Sequence, residues 1–275
     1  MQVEQNSIVE HGSPRLPPEL ERTIFELAAR SSPGRVPSLM LIAWRVKSWL
    51  EPLLYRVMCI SSTSNAQQSP LDAAEYLFLQ TIEVSPTSAI VDAILQACPH
   101  ITHLFSSLPL KSNLKALESI HCLRRLTVNT TRLFFDHPFD FTHPLFLNLT
   151  HLELTDKPRR LEAPLYARLT EIPNLTHICF NAVRLFSVVY PLLASSTRLQ
   201  LIVLLSTVEK HTQDKAVIHP QPRMDDRFVH TDQTNFRADR LGPASGAGDY
   251  WERAEEFVAA RRAGTITWPP SLMWT

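Results

Sequence analysis

Five times between residues 101 and 204 the chain repeats one degenerate apolar skeleton, leucine-x-x-leucine-x-leucine. The copies are Ile101-x-x-Leu104, Leu123-x-x-Leu126-x-Val128, Leu149-x-x-Leu152-x-Leu154, Leu175-x-x-Ile178-x-Phe180 and Leu199-x-x-Ile202-x-Leu204. In the first copy Ser106 takes the third apolar place. The successive starts, at Ile101, Leu123, Leu149, Leu175 and Leu199, keep a nearly constant interval. In an extended strand residues i and i+2 share a face, so the last two apolar residues of each copy point inward together. The first apolar residue turns the chain into the strand. Between the copies lie short stretches of helical character at 89–98, 114–120 and 185–194. One strand–helix unit cannot bury its own apolar face, whereas stacked units share a continuous core. The expected class is therefore α/β, with parallel strands and helices stacked in irregular repeats. An ordinary α/β domain with simple strand–helix alternation is the other reading of the same pattern.

The interval falls within the roughly 20–29 residues of leucine-rich repeats, which the segment resembles. The asparagine that usually follows such a strand is matched loosely, at Asn129 and Asn181. The rest of the chain divides around this segment. Residues 1–14 read as a disordered tail, 15–60 as a helical module, 61–70 as a polar linker and 71–248 as the repeat-like α/β domain. In the module Leu20, Ile24, Phe25, Leu27 and Ala28 recur at helical spacing after Pro17-Pro18, a favoured helix start. A second apolar run covers 36–49, is interrupted at Pro52, and is followed by extended chain at 55–60. Strands are expected at 76–84 and, more weakly, at 223–229. Residues 249–264 read as an amphipathic helix capping the open end of the stack. Asp249 is its N-cap, Glu252 the capping-box partner and Gly264 the stop. Residues 265–275 form a tail.

The module has a further likeness. Leu16, Pro17, Glu19, Leu20, Ile24 and Phe25 match the opening of an F-box, leucine-proline-x-glutamate followed by apolar residues at helical spacing. Val46, Trp49, Pro52, Leu53, Leu54 and Tyr55 resemble its second half, although Ile42-Ala43-Trp44-Arg45 stands where the family carries valine-cysteine. The whole layout is similar to divergent F-box-like proteins of mushroom-forming fungi, with Glu51–Arg56 and Trp251–Phe257 as further matches. That resemblance implies a substrate-recognition adaptor. Its module would dock on a Skp-type adaptor protein of a cullin-RING ubiquitin ligase, and its repeats would bind a protein substrate. By position, Leu16, Pro17, Leu20, Ile24 and Phe25 would touch the adaptor and Trp49 would pack internally. The alternative is a repeat scaffold that binds protein without ligase coupling.

Composition narrows the rest. Lys plus Arg equals Asp plus Glu at 27 each, so no net field draws the chain to nucleic acid or anionic lipid. Six glycines leave little material for phosphate-cradling loops. Residues 1–13 lack the apolar core of a secretory signal, and no apolar run is long enough to span a bilayer. A cytoplasmic or nuclear protein, off the membrane, is expected. The cysteines Cys59, Cys98, Cys122 and Cys179 form no C-x-x-C pair and read as free thiols. His100 and His103 flank a strand start without a completing ligand set, so no metal and no cofactor is expected. Glu255 and Glu256 are adjacent on a helix and do not face each other, and no nucleophile or nucleotide motif appears, so no catalytic residue and no enzyme activity is expected. The aromatic stretch around Phe139 and Phe141 reads as an insertion packing its own phenylalanines, or else as a partner-binding loop.

Overall fold

A computed structural model describes residues 16–61, 70–80, 88–134, 140–155, 166–181, 186–207, 225–233 and 248–266. The chain divides into two compact units, 1–54 and 55–275.

The first unit is helical. Helix α1 (Pro18–Ser31) opens on proline, carries Glu19 and Glu21 in its first turn and Arg30 in its last, an arrangement that suits the helix dipole. A tight turn at Pro33–Arg35 leads into α2 (Val36–Met40) and then α3 (Trp44–Leu54). The run expected to be continuous over 36–49 therefore breaks, as the Leu41 and Ile42 amides bond to the carbonyls three residues back. Pro52, expected to interrupt the run, sits inside α3 near its end, where few backbone bonds remain to lose. Ala29, Val36, Val46 and Leu50 are buried at the centre, with Phe25, Leu39 and Trp49 packed around them. Arg45 donates two hydrogen bonds to Glu21, at 3.0 and 2.8 Å, tying the start of α3 to the first turns of α1.

The second unit is α/β. Among the described residues it holds an eight-stranded parallel sheet in which every strand pairs with its neighbours in sequence. The strands are β1 (Val57–Ile60), β2 (Tyr76–Leu79), β3 (His103–Ser106), β4 (Arg125–Val128), β5 (His151–Leu154), β6 (His177–Phe180), β7 (Leu201–Thr207) and β8 (Phe228–Gln233). The extended segment assigned to the helical module supplies β1 and so belongs to the sheet. One unbroken row, Met58, Leu77, Leu104, Leu126, Leu152, Ile178, Ile202 and Phe228, crosses all eight strands in register. From Leu104 to Ile202 these are the middle residues of the repeated skeleton, and the whole row is buried. The first residues are buried too, and the amides of Ile101, Leu123, Leu149 and Leu175 each bond to the carbonyl three residues back, making the same turn into each strand. Ser106 is buried among apolar neighbours and accepts the Leu108 N–H at 3.1 Å, which removes the cost of its hydroxyl.

Helices α4 (Ser88–Ala97), α5 (Leu114–Glu118), α6 (Thr130–Phe134) and α7 (Phe186–Ser195), with short turns such as Pro144–Phe146 and Arg168–Glu171, close the core on one face. Asn129 caps α6 by accepting the Arg132 N–H at 2.9 Å. Phe134, Phe141 and Phe146 pack on one another inside this core, as an insertion with its own aromatic packing does. The neighbouring Phe139, the linker at 62–69, the terminal tails and most of 208–247 lie outside the described residues.

Helix α8 (Tyr250–Arg262) corrects the expectation of an end cap. It lies across the opposite face of the sheet, where Tyr250, Trp251, Ala254 and Val258 bury against Cys179, Leu201, Val203, Leu205 and Val229. The reason is legible in β7, where residues 201–205 are all apolar. A strand with two apolar faces needs cover on both. Asp249 accepts the Glu252 N–H at 2.9 Å as N-cap, and Gly264 (φ 70°) ends the helix in the left-handed conformation. No helix among the described residues is long and apolar enough to cross a membrane.

Candidate functional site

On the face that α8 partly covers, the sheet presents two rows of side chains. The first is Tyr76, His103, Arg125, His151, His177 and Leu201; the second is Phe78, Phe105, Thr127, Glu153, Cys179 and Val203. Polar residues thus gather on β3 to β6, flanked by aromatics on β2 and aliphatics on β7.

The local cause is a repeated dipeptide, threonine-histidine, at the start of β3, β5 and β6. Each threonine hydroxyl donates to a carbonyl of the preceding strand or its approach: Thr102 to Glu75 at 3.3 Å, Thr150 to Arg124 at 3.2 Å and Thr176 to Thr150 at 3.2 Å. Each hydroxyl also lies 2.7–2.8 Å from the Nδ1 of the following histidine. The hydroxyl and Nδ1 are thus paired with each other, with the direction of the bond set by the tautomer of the ring. Nε2 is the nitrogen left for another partner on all three rings. Burial lowers these imidazoles below their usual range, His103 to about 3, His151 to about 2 and His177 to about 4, with Arg125 adding to each shift.

The rings stack in pairs. Tyr76 lies 4.2 Å from His103, and His151 lies 4.1 Å from His177. Trp251 meets both His151 and His177 edge-on, at 5.2 and 5.8 Å. Between the pairs, Arg125 donates to the buried Asp249 carboxylate at 2.5 Å. Glu153 is buried and accepts from Thr127 at 3.0 Å, Tyr250 at 3.1 Å and Asn181 at 3.2 Å. These contacts leave an open pocket of about 50 Å³ beside the N-terminus of α8, with Phe78 and Phe105 as its apolar wall and Arg125, Thr127, Glu153 and Tyr250 as its polar one. Its charged groups are held by internal partners.

No family model matches the sequence, and neither a curated protein nor a solved structure does.

The residues singled out in sequence lie elsewhere. Leu16, Pro17, Leu20 and Ile24 sit exposed at the start of the first unit, and Leu20, Ile24 and Leu27 form one solvent-facing stripe along α1. Phe25 departs from them and packs into the module's core. The turn before α3 adds Leu41 and Ile42, and the first residue of α3 adds Trp44, 78% exposed. Sequence reasoning passed over Arg125, His151, His177, Glu153 and Asp249 as members of one site. A signal existed, because the Thr-His dipeptide recurs at one phase of the repeat.

Proposed function

We propose that the chain is an F-box-like substrate-recognition adaptor whose helical module docks on a Skp-type adaptor of a cullin-RING ligase, and whose repeat domain binds a protein. The observation that carries this reading is the exposed apolar stripe Leu20, Ile24 and Leu27 on α1, next to the exposed Leu16-Pro17 start. A helix of a small packed module gains nothing from aliphatic side chains in water, and such a patch is the kind that protein partners cover. The Arg45–Glu21 pair supports it further by drawing the exposed 41–44 turn toward the same end of α1.

The leucine-rich-repeat reading of the second unit is supported by the in-register apolar row and the identical turn into successive strands. On this reading the pocket beside β3 to β5 takes part in substrate contact, since its aromatic and guanidinium groups are those enriched at interfaces.

The test is co-purification of the full chain with a Skp-type adaptor, beside the double variant Leu20→Asp/Ile24→Asp. Loss of two aliphatic anchors at about 2 kcal/mol each weakens binding by about a thousandfold. The far-ultraviolet circular dichroism of the variant stays that of the wild type, because neither side chain is in the module's core. An intact chain that binds no adaptor yet captures a defined protein through its repeats overturns the ligase role in favour of an uncoupled scaffold.

A further inference from the structure

His151 opens β5, His177 opens β6 at the paired register position, and Glu255 comes from the second turn of α8. One nitrogen of each ring and one carboxylate oxygen lie within 4.8 Å of one another. The Nε2 of His177 is 2.8 Å from Glu255 Oε1, while the Nε2 of His151 is buried without any hydrogen-bond partner. On both rings Nδ1 is paired with a threonine hydroxyl, Thr150 or Thr176, so Nε2 is the nitrogen turned to the cluster. His177 Nε2 therefore meets the Glu255 carboxylate, and His151 Nε2 stands beside that pair with no partner of its own.

We propose that His151, His177 and Glu255 form a divalent-metal site of the zinc class that fastens α8 to the sheet. Two neutral imidazoles and one carboxylate are a usual zinc donor set. The threonine hydroxyls serve as the outer partners that fix ring orientation and tautomer, as metal-bound histidines require. Trp251 walls one side against water, and the half-exposed Glu255 side chain leaves the other side open for a solvent ligand. Arg125 is the nearby cation, and Asp249 offsets its charge. The rings now lie nearly parallel, at 10°. Metal bonds of about 2.0–2.1 Å draw the two Nε2 atoms together and tilt the stack open.

The full chain is titrated with zinc chloride by calorimetry, with thermal melts and cobalt(II) absorption alongside. The site predicts one equivalent of zinc, a rise in melting temperature reversed by chelator, and cobalt d–d bands without a sulfur charge-transfer band. His177→Asn and Glu255→Gln each lose the equivalent, whereas His100→Asn retains it. The Glu255 side chain is half exposed at the edge of α8, so its variant folds even if the histidine variant does not. Thr176→Val weakens binding by about 10–100-fold through the lost outer contact. Failure of the wild type to take up micromolar zinc overturns the proposal. Equal binding by the Glu255 variant, or a sulfur band placing the metal on cysteine, overturns it as well.

Discussion

Asp249 holds two roles that can be separated by substitution. Its carboxylate accepts the Glu252 N–H at 2.9 Å, capping α8, and accepts from Arg125 at 2.5 Å across to β4. The side chain of Asp249 is 4% exposed and that of Arg125 25% exposed. Asp249→Asn keeps a good cap and removes the charge. Breaking a buried pair costs about 3–5 kcal/mol, and water reaching a quarter-exposed Arg125 places this case at about 3 kcal/mol. Asp249→Ala also loses the cap, adding about 1 kcal/mol. Arg125→Met in the Asp249→Asn background removes the stranded charge and recovers about 2 kcal/mol. Urea unfolding in chelator, followed by circular dichroism, gives the ordering wild type, double variant, Asp249→Asn, Asp249→Ala. Hydrogen exchange over 250–262 locates the loss at α8. An Asp249→Asn chain as stable as wild type, or a double variant no more stable than Asp249→Asn, refutes the role of the charge pair.

Two further outcomes follow from burial. His103 has a folded pKa of about 3 against an ordinary 6.5, set by burial and then by Arg125 and Arg56, with Tyr76 stacked on its ring. The unfolded chain binds the extra proton first, so this contribution is complete above pH 6.5 and is lost as pH falls toward 3. Between pH 7.5 and pH 5 it amounts to about 2 kcal/mol, and His103→Phe, which keeps a ring against Tyr76, removes that share of the fall in urea midpoint while the shares of His151 and His177 remain. Thiol titration of the native chain with Ellman's reagent gives two fast cysteines, the exposed Cys59 and Cys122. Cys98 and Cys179 are buried, and burial pushes the Cys98 thiol up to about 12, so these two react only after unfolding. Four fast thiols in native buffer count against the buried placement.

The sheet was legible because its signal is periodic. Leu126, Leu152, Ile178 and Ile202 recur at a nearly constant interval, and an interval that repeats specifies which residues stand side by side. The extended character of 55–60 was legible, but its place in the sheet was not, because Val57–Ile60 follows a helix without a full skeleton before it. The end-cap placement of α8 failed for another reason. Its own amphipathic pattern says that one side is buried but not against what, and the missing information lay much earlier in the chain, in the two-sided apolarity of β7. The site was hidden for a third reason. His151 and His177 look like isolated histidines until the repeat period brings them to one register position, and Glu255 joins them only once α8 crosses that face.

The position of α8 has a consequence for biosynthesis. Every strand emerges from the ribosome before the helix that covers the open face of β6 to β8, so the stack forms with Leu201, Val203, Leu205 and Val229 still bare. A parallel array with such a surface offers adjacent nascent chains on a polysome a place to stick. Yield of native protein is therefore expected to depend on how quickly α8 docks. Chaperone dependence concentrates in that interval, and a chain stopped just short of Asp249 is a better substrate for quality control than one missing its first repeat.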